Sequence, residues 1–392
     1  MQYRKDKYGR ELSVLGFGCM RFPQKLGHID LEQTRRLIET AVEAGINYFD
    51  TAYIYPGNEV ALGKILEDCG LRNKVYIATK LPHYLIKSRE KMDALFDEEL
   101  RRLRTDHVDY YLMHMLTDTD AWQRLEQLGI REWIAQKKAA GVIGQVGFSY
   151  HGNSDTFCRL VDAYDWDFCQ IQYNYMDEHS QAGRKGLNYA AQKGLPVIIM
   201  EPLRGGKLAN NLPADARKRF ADRQEGYTPA QWALRWLWDQ EKVTVVLSGM
   251  NSMEMLRENI ATADSARPGE MTGEQQEFLQ QIVKCINAKM KVGCTGCGYC
   301  MPCPKGVDIP GTFAAYNRCY QEGKFAGLKE YFMCTAARKN SSAASNCVGC
   351  GKCEKHCPQG LPIRQHLSDA QKVLEIPVYK LGRKLVTWFT HF

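Results

Sequence analysis

Two groups of four cysteines in the last third of the chain have the type and spacing that bind metal. Both groups end directly before a proline, and their members are Cys294, Cys297, Cys300 and Cys303, and Cys347, Cys350, Cys353 and Cys357. Thiolates at such short intervals bind either a zinc ion or an iron–sulfur cluster. These two groups therefore assign eight of the fifteen cysteines to metal chemistry.

The spacing within each group favours a [4Fe–4S] cluster over zinc. Three cysteines separated by two residues each can hold three corners of one cubane, which two CxxC pairs on zinc would not require. In two-cluster ferredoxins the cysteine before the proline binds the other cluster. We therefore predict a crossed arrangement, with Cys357 on the cluster of the first triplet and Cys303 on that of the second. The alternative, one self-contained site per group, stays open because the interval before Cys303 is one residue shorter than that before Cys357.

The segment around these groups resembles an α-helical ferredoxin domain of the type fused to many redox enzymes. The second group matches the bacterial two-cluster ferredoxin run, and the long connection over 304–346 carries few strand signals. This resemblance implies a mainly α-helical domain with two [4Fe–4S] clusters over 291–392, reached through a helical connection at 271–290. Such clusters transfer electrons or sense redox state.

Composition limits what the remaining residues can be. The 392 residues, 44% hydrophobic and 25% charged, suit a globular protein of two domains. The net charge of +7 is dispersed without a basic run, so we expect no nucleic-acid partner. The polar N-terminus and the lack of a long apolar stretch predict no membrane span and a cytoplasmic location, where metal binding is a better use of clustered cysteines than disulfides.

Before residue 270 the sequence alternates strand-like and helical patterns eight times. The strand-like runs, rich in Val, Ile, Tyr and Phe, are 13–20, 46–52, 75–80, 108–115, 143–149, 167–173, 196–202 and 243–249. Eight such units predict an α/β protein with a (β/α)8 TIM barrel over 1–270. A doubly wound sheet usually has fewer strands and a GxGxxG motif, whereas Gly16-Phe17-Gly18 lacks the third glycine.

A barrel carries its chemistry at the C-terminal ends of its strands, and four polar residues fall there. They are Asp50, Tyr55, Lys80 and His114. Taken singly, each has a better structural explanation. Asp50 would cap a turn and Tyr55 anchor a loop, while Lys80 would be a snorkelling surface lysine and His114 a hydrogen-bonded core histidine. Together they form an acid–base set in which the Lys80 ammonium is expected to lower the pKa of the Tyr55 phenol, and Asp50 to keep Lys80 charged and oriented.

The segments "INYFDTAYIY", "IATK" and "YYLMH", in this order, resemble the signature segments of the aldo-keto reductase family. That family is a (β/α)8 barrel of nicotinamide-dependent oxidoreductases. The resemblance implies that Tyr55 protonates a carbonyl oxygen as hydride arrives from the nicotinamide, that Lys80 and Asp50 tune Tyr55, and that His114 orients and polarises the carbonyl.

The resemblance extends over roughly residues 1–265 and implies a coenzyme site. It places Ser149 and Gln172 on the nicotinamide amide, and a loop beginning at Glu201 over the pyrophosphate. Ser252 can cap a helix whose N-terminus suits a phosphate. The residues implied to bind the coenzyme are Gly18, Met20, Ser149, Gln172, Glu201, Leu203, Gly205, Ser248, Gly249, Ser252, Glu258 and Asn259. NADPH-specific relatives carry Lys or Arg near the 2′-phosphate, but the segment at 248–260 has only Arg257, so NADH and NADPH both remain open.

The two halves together predict an NAD(P)H-dependent oxidoreductase that interconverts a carbonyl and an alcohol of a small-molecule substrate. Nicotinamide gives two electrons as hydride, each cluster exchanges one, and no flavin-binding signature converts between them. The clusters could therefore serve a ferredoxin- or flavodoxin-like electron carrier, sense redox state or brace the fold. An alternative is an electron-transfer or regulatory iron–sulfur protein whose barrel binds nucleotide without turnover.

Overall fold

A computed structural model describes residues 1–152, 154–179, 181–296, 298–321, 323–336 and 341–389. Their contacts divide the chain into two compact units, Met1–Leu203 with Ala230–Gln276, and Arg204–Pro229 with Glu277–Phe392. The second unit is thus assembled from an excursion out of the N-terminal half and from the C-terminal segment. The domain boundaries predicted from the sequence, with the barrel ending at 270 and the helical connection at 290, stay predictions. No helix among the described residues has both the length and the hydrophobicity to cross a bilayer.

The described residues of the first unit form twelve strands, eight of which make a closed parallel barrel. In chain order the strands are β1 (Tyr3–Lys5), β2 (Glu11–Ser13), β3 (Leu15–Gly18), β4 (Gln24–Lys25), β5 (His28–Ile29), β6 (Tyr48–Asp50), β7 (Tyr76–Leu81), β8 (Val108–Leu116), β9 (Ile143–Tyr150), β10 (Phe168–Gln172), β11 (Val197–Met200) and β12 (Val243–Ser248). The barrel runs β3-β6-β7-β8-β9-β10-β11-β12 and closes where Val246 pairs with Leu15. The predicted (β/α)8 barrel is confirmed.

Inward-facing side chains fill this barrel, as its close-packed geometry requires. Tyr48, Tyr110 and Phe168 pack there with aliphatic residues from the other strands. At the bottom, the antiparallel β1–β2 hairpin places Asp6 beneath the strands, where its carboxylate accepts a hydrogen bond from the Tyr110 hydroxyl at 2.7 Å. Gln145 also donates to Asp6. The lower end is therefore sealed, and the upper end is left for chemistry.

Helices follow the strands and cover the outside of the barrel. They are α1 (Leu31–Glu43), α2 (Asn58–Asp68), α3 (Arg89–Leu103), α4 (Thr119–Gln127), α5 (Ile130–Ala139), α6 (Ser154–Ala163) and α7 (Gly183–Gln192). The Asp30 carboxylate caps α1 by accepting from the Gln33 amide at 3.0 Å, and Gly45, at φ +88°, turns the chain into the next strand.

The excursion after β11 carries α8 (Lys207–Asn210) and α9 (Ala214–Ala221) and belongs to the second unit. Within that unit Phe220 packs edge-on against Phe278, with ring centroids 5.5 Å apart, and the Arg223 guanidinium lies 5.0 Å from the Phe278 ring. The chain then returns to the barrel through α10 (Pro229–Trp238) and α11 (Met253–Ser265), and α12 (Gly273–Lys289) runs into the C-terminal segment.

The C-terminal segment is helical, with loops that carry the cysteines. Its helices are α13 (Ile309–Gln321), α14 (Lys324–Tyr331), a π-helical turn (Phe332–Ala336), α15 (Lys352–Lys355), α16 (Ile363–Leu374) and α17 (Pro377–Phe389). Phe313, Tyr331 and Leu367 contribute to a core that the partly buried cysteines contact. The buried Tyr331 hydroxyl donates to Glu375 at 2.9 Å and accepts from the Ala344 amide at 2.8 Å. The polar hydroxyl that this small core buries is thus satisfied by hydrogen bonds.

Candidate active site and cysteine-lined cavities

Three neighbouring barrel strands bring the predicted acid–base residues together at their C-terminal ends. Asp50 ends β6, Lys80 is the penultimate residue of β7, and His114 lies near the end of β8. Their exposed fractions are 4%, 2% and 5%, so all three are buried. Tyr55 follows β6 in the next loop and is partly exposed. The structure thus assembles the four residues that the sequence selected.

The Lys80 and Asp50 side chains form a buried ion pair. Lys80 Nζ lies 2.6 Å from Asp50 Oδ1 and donates to the Thr51 carbonyl, also at 2.6 Å. Gln170, in β10, donates to Asp50 Oδ2 at 3.1 Å. Burial raises the pKa of Asp50, while Lys80 and Gln170 lower it. A buried charge needs such compensation, and Gln170 is a contributor that sequence reasoning missed.

Tyr55 lies near both the Lys80 ammonium and the His114 ring. Lys80 Nζ is 5.4 Å from the centroid of the Tyr55 ring, and the Tyr55 and His114 centroids are 6.2 Å apart at 84°. Burial raises the pKa of Tyr55 well above its ordinary value, and the negative charges of Asp50 and Glu201 raise it further. The expectation that Lys80 lowers this pKa is therefore wrong for this structure, because desolvation of the phenolate dominates. Tyr55 is held protonated, as a donor.

His114 is buried as a neutral imidazole. Burial lowers its pKa well below the ordinary value, and the Lys80 ammonium lowers it further. Its Nδ1 has no hydrogen-bond partner among the described residues. The next residue, Met115, has a left-handed φ of +61°, and the pairing of β8 with β9 is irregular between Met113 and Leu116. Such an irregularity re-aims side chains at a strand end.

The two residues predicted to hold the nicotinamide amide are buried beside this group. Ser149, near the end of β9, accepts a hydrogen bond from the Met115 amide at 2.8 Å, which leaves its hydroxyl proton for another acceptor. Gln172 ends β10, donates to Asp177 at 2.9 Å and accepts from Gln181 at 2.8 Å. An amide group has two hydrogens and two lone pairs, so Gln172 keeps capacity for one further bond of each kind.

Gly18 and the end of β12 approach each other closely at the barrel mouth. A Cβ on Gly18 would lie 3.3 Å from the Ser248 carbonyl oxygen, and a Cβ on Gly249 would lie 3.0 Å from Arg21 Cδ. Met20 is exposed beside them. The Arg21 stem thus passes close to Gly249. Arg21 lies outside the segment 248–260, in which the sequence indicated only Arg257 as a cation near the coenzyme phosphate. Only the folded barrel shows that residues following β3 meet the end of β12.

The remaining coenzyme candidates lie on α11 and on the loop after β11. Ser252 caps α11 by accepting from the Met255 amide at 3.2 Å, and Asn259 donates to the Ser248 hydroxyl at 3.0 Å. Glu258 is half-buried on the same helix. Glu201 and Leu203 belong to the first unit, where the Glu201 carbonyl accepts from Asn174 at 3.0 Å. Gly205, at φ +68°, belongs to the second unit.

Two cavities in the second unit are lined by cysteines of both groups. Cys294 and Cys300 share the first cavity with Cys357, whereas Cys347, Cys350 and Cys353 share the second with Cys303. Cys297 lies outside the described residues. The space between the lining residues, with the open solvent at its mouth, is about 320 Å³ in the first and about 330 Å³ in the second. The described cysteines that the crossed arrangement assigns to one cluster therefore line the same cavity.

The chemistry of the linings suits iron–sulfur clusters. Apart from the thiols, apolar groups dominate both cavities, and Ile309 contributes to each. At the first cavity the Thr295 hydroxyl and the Gln359 amide nitrogen are buried without a hydrogen-bond partner among the described residues. Unsatisfied buried donors are unusual in native proteins and indicate an acceptor that a cluster sulfur would supply. Among the described residues, including those that line the two cavities, no three His, Cys, Asp or Glu side chains converge to hold a single metal ion.

A buried ion pair thus lies near a tyrosine and a histidine at the mouth of a (β/α)8 barrel. In comparison with known proteins, residues 14–280 match the Aldo/keto reductase family. The chain belongs to that family. Residues 293–361 match the 4Fe-4S dicluster domain family, which identifies the cysteine-rich segment as a ferredoxin-type domain.

The relatives cover the barrel. An aldo-keto reductase of Mycolicibacterium vanbaalenii is 29% identical over 69% of this chain and 88% of its own length. The L-glyceraldehyde 3-phosphate reductase of Escherichia coli O157:H7 is 27% identical over 66% of this chain and 87% of its own. Among solved structures, the holo form of an aldo-keto reductase from Bacillus halodurans has a TM-score of 0.60 at 24% identity, covering 72% of this chain and 96% of that one. Its likeness supports the fold.

Proposed function

We propose that this protein is a cytoplasmic NAD(P)H-dependent oxidoreductase that interconverts a carbonyl and an alcohol, and that its C-terminal domain binds two [4Fe–4S] clusters. The observation that carries the first part is the buried Lys80–Asp50 pair beside Tyr55 and His114. Relatives named as reductases support this reaction class. The substrate is a small molecule with a carbonyl or alcohol group.

The roles of the four residues follow from their charge states. Tyr55 carries its hydroxyl proton at neutral pH and donates it to the substrate oxygen during reduction. Lys80 keeps a positive charge near the oxygen that develops negative charge, and Asp50 fixes the position of that charge. Neutral His114 orients the carbonyl by a hydrogen bond. In oxidation of an alcohol, Tyr55 recovers the proton.

A nicotinamide coenzyme would supply the hydride. Ser149 and Gln172 would hold its amide, the cap of α11 at Ser252 would face a phosphate, and the Arg21 side chain passes close to Gly249. Met20, Glu201, Leu203, Gly205, Glu258 and Asn259 remain proposed coenzyme contacts. NADH and NADPH are both compatible with this set. Among structural neighbours, an aldo-keto reductase from Klebsiella pneumoniae was solved with NADPH; it has a TM-score of 0.57 at 22% identity and covers 72% of this chain and 95% of that one.

For the second domain we propose one-electron exchange with an external carrier protein. The cluster ligands would be Cys294, Cys297, Cys300 and Cys357 for the first cluster, and Cys347, Cys350, Cys353 and Cys303 for the second. The cysteine grouping at the two cavities and the dicluster-domain match support this assignment. Iron and acid-labile sulfide analysis of anaerobically purified protein tests it, with about eight of each expected per chain from two cubanes.

Tyr55→Phe tests the proposed reaction. We expect carbonyl reduction to fall by at least about 100-fold, because the proton donor is lost, while coenzyme affinity changes little. Steady-state rates with aldehyde substrates and fluorescence titration with NADPH measure the two quantities. Tyr53→Phe is the matched control, since the Tyr53 ring packs against Arg102, 4.2 Å away, and should leave turnover unchanged. Undiminished turnover in Tyr55→Phe would overturn Tyr55 as the proton donor, whereas wild-type protein that binds nucleotide but turns over no carbonyl or alcohol would favour the alternative of a nucleotide-binding electron-transfer protein.

A further inference from the structure

The second cysteine cavity opens to the protein surface through one of its own thiols. Cys350 is exposed, whereas the other described cysteines of the two groups are half-buried. Val348, between Cys347 and Cys350, is 63% exposed and also lines the cavity. A redox group that reaches the surface through a ligand can exchange electrons with another protein, because no thick layer of protein separates the two.

Exposed cations surround this opening. Lys305 and Arg364 line the cavity, and Lys352 and Lys355 begin and end α15, the helix that contains Cys353. No ion pair to Lys305, Lys352 or Lys355 occurs among the described residues, whereas Arg364 pairs with Glu354 at 2.8 Å.

Two acidic residues of this region already have partners. Glu354 pairs with Arg364, and the Asp308 carboxylate accepts from the Gly311 amide at 3.0 Å. Three unpaired lysines thus remain around an exposed cluster ligand. Lys305 and Arg364, which line the cavity, are placed to compensate the cluster's own negative charge. Lys352 and Lys355 are exposed on α15, and their charges are available to a partner.

We infer that the face formed by Lys305, Val348, Cys350, Lys352 and Lys355 is the docking surface for an acidic one-electron carrier protein. This inference rests on the proposed iron–sulfur function and adds to it the site of electron exchange and the charge of the partner. The exposed thiol ligand favours a redox protein over nucleic acid or an anionic membrane, which would need only the charges. The transfer is balanced, because the reduced carrier loses one electron, the oxidised [4Fe–4S] cluster gains it, and no bond is made or broken.

The test compares electron delivery to the full-length holoprotein by two reductants. Oxidised protein is mixed anaerobically with a reduced, acidic [2Fe–2S] ferredoxin, or with reduced methyl viologen, a small cation, and cluster bleaching is followed in time. With ferredoxin, the Lys352→Glu/Lys355→Glu variant should react roughly tenfold or more slowly than wild type at low salt. Its rate with methyl viologen should not fall, and added salt should slow the wild-type reaction with ferredoxin.

A matched variant separates a local effect from net charge. Lys324→Glu/Lys329→Glu makes the same charge change at exposed positions of α14, which line neither cavity, and should retain the wild-type rate. Equal slowing in both variants, or a wild-type rate independent of salt, would overturn the docking surface while leaving the clusters in place. Protein without iron and sulfide, or clusters that dithionite cannot reduce, would instead overturn the proposed electron-transfer function and the docking surface with it.

Discussion

Individual side chains at the first cysteine cavity indicate how a cluster there would be tuned. Thr295 is 9% exposed, and its hydroxyl and the Gln359 amide nitrogen are both buried without a partner among the described residues. Hydrogen bonds to cluster sulfur stabilise the reduced, more negative state and so raise the reduction potential. These two donors are therefore expected to raise the potential of the cluster held by Cys294, Cys300 and Cys357.

Thr295→Val should lower the potential of one cluster and leave the other unchanged, because it removes one hydroxyl while preserving shape. Redox titration followed by electron paramagnetic resonance resolves the two clusters. Thr295→Ser keeps the hydroxyl and serves as the control, with a potential close to wild type. Equal shifts in both variants would show that packing, and not the hydroxyl, sets the potential.

Candidate site residues at predicted strand ends can be identified from the sequence, whereas residues that reach the site only through folding cannot. Asp50, Tyr55, Lys80 and His114 follow from strand ends, which the apolar runs reveal. Arg21 and Gln170 are ordinary residues until barrel closure brings β12 beside β3 and strand pleating turns Gln170 inward to Asp50. The sign of the Tyr55 pKa shift was also out of reach, since it depends on burial.

At the scale of elements, α2 and α3 each place a buried carboxyl group against β7 or β8. Glu99 is fully buried and accepts from the Tyr111 hydroxyl at 2.7 Å, while Thr79, next to Lys80, donates to Glu59 at 2.7 Å. Burial and the neighbouring Glu59 raise the pKa of Glu99 well above its ordinary value. Glu99 therefore binds its proton more tightly in the folded than in the unfolded chain.

The stability that this proton contributes is fully present below the ordinary glutamate pKa of about 4.3 and is lost as pH rises toward the raised, folded-state pKa. Glu99→Gln mimics the protonated acid, so its melting temperature should gain on that of wild type as pH increases above this value. Circular-dichroism melting from pH 5 to 9 measures the difference. A constant difference across that range would contradict a raised pKa.

Glu98, the preceding residue, serves as a control because its pKa is shifted in the opposite direction to that of Glu99. Hydrogen bonds from Arg101 and Arg102 lower the pKa of Glu98 to about 2. Its contribution to stability is present above the ordinary value of about 4.3 and is lost only as pH falls toward 2. Glu98→Gln should therefore be less stable than wild type throughout the range from pH 5 to 9, with little dependence on pH.

The elements themselves were largely predictable, apart from their ends. The eight predicted runs all overlap barrel strands, but the run 13–20 begins on the last residue of β2 and has β3 as its one barrel strand, because Cys19–Arg21 turn into a 3₁₀ helix at the barrel mouth. Likewise, the residues after β11 show no sequence signal that assigns α8 and α9 to the cysteine-bearing unit, since that assignment depends on tertiary contacts such as Phe220 with Phe278. The spacing of apolar residues predicts strands and helices, whereas the tertiary packing partners of an element can be identified only from the fold.

For the whole molecule, the proposed crossed ligation would make the two proposed clusters interdependent. Cys357→Ser should alter the resonance signal of the cluster that responds to Thr295→Val, and Cys303→Ser that of the other cluster, because each replaced thiol lies in the cavity of the opposite triplet. Electron paramagnetic resonance of the two variants, each with and without Thr295→Val, makes the assignment. The reverse pattern would establish one self-contained site per group.

The excursion over Arg204–Pro229 also bears on how the chain is made. Phe220 leaves the ribosome before Phe278, against which it packs in the finished protein. At roughly 5–20 residues per second, several seconds of translation separate the two rings. Throughout that interval the first seven barrel strands, through β11, have already been synthesised, whereas Phe278, which packs against Phe220 in the second unit, has not. The nascent chain therefore exposes an apolar segment at a defined moment of synthesis, which is the kind of surface that chaperones bind.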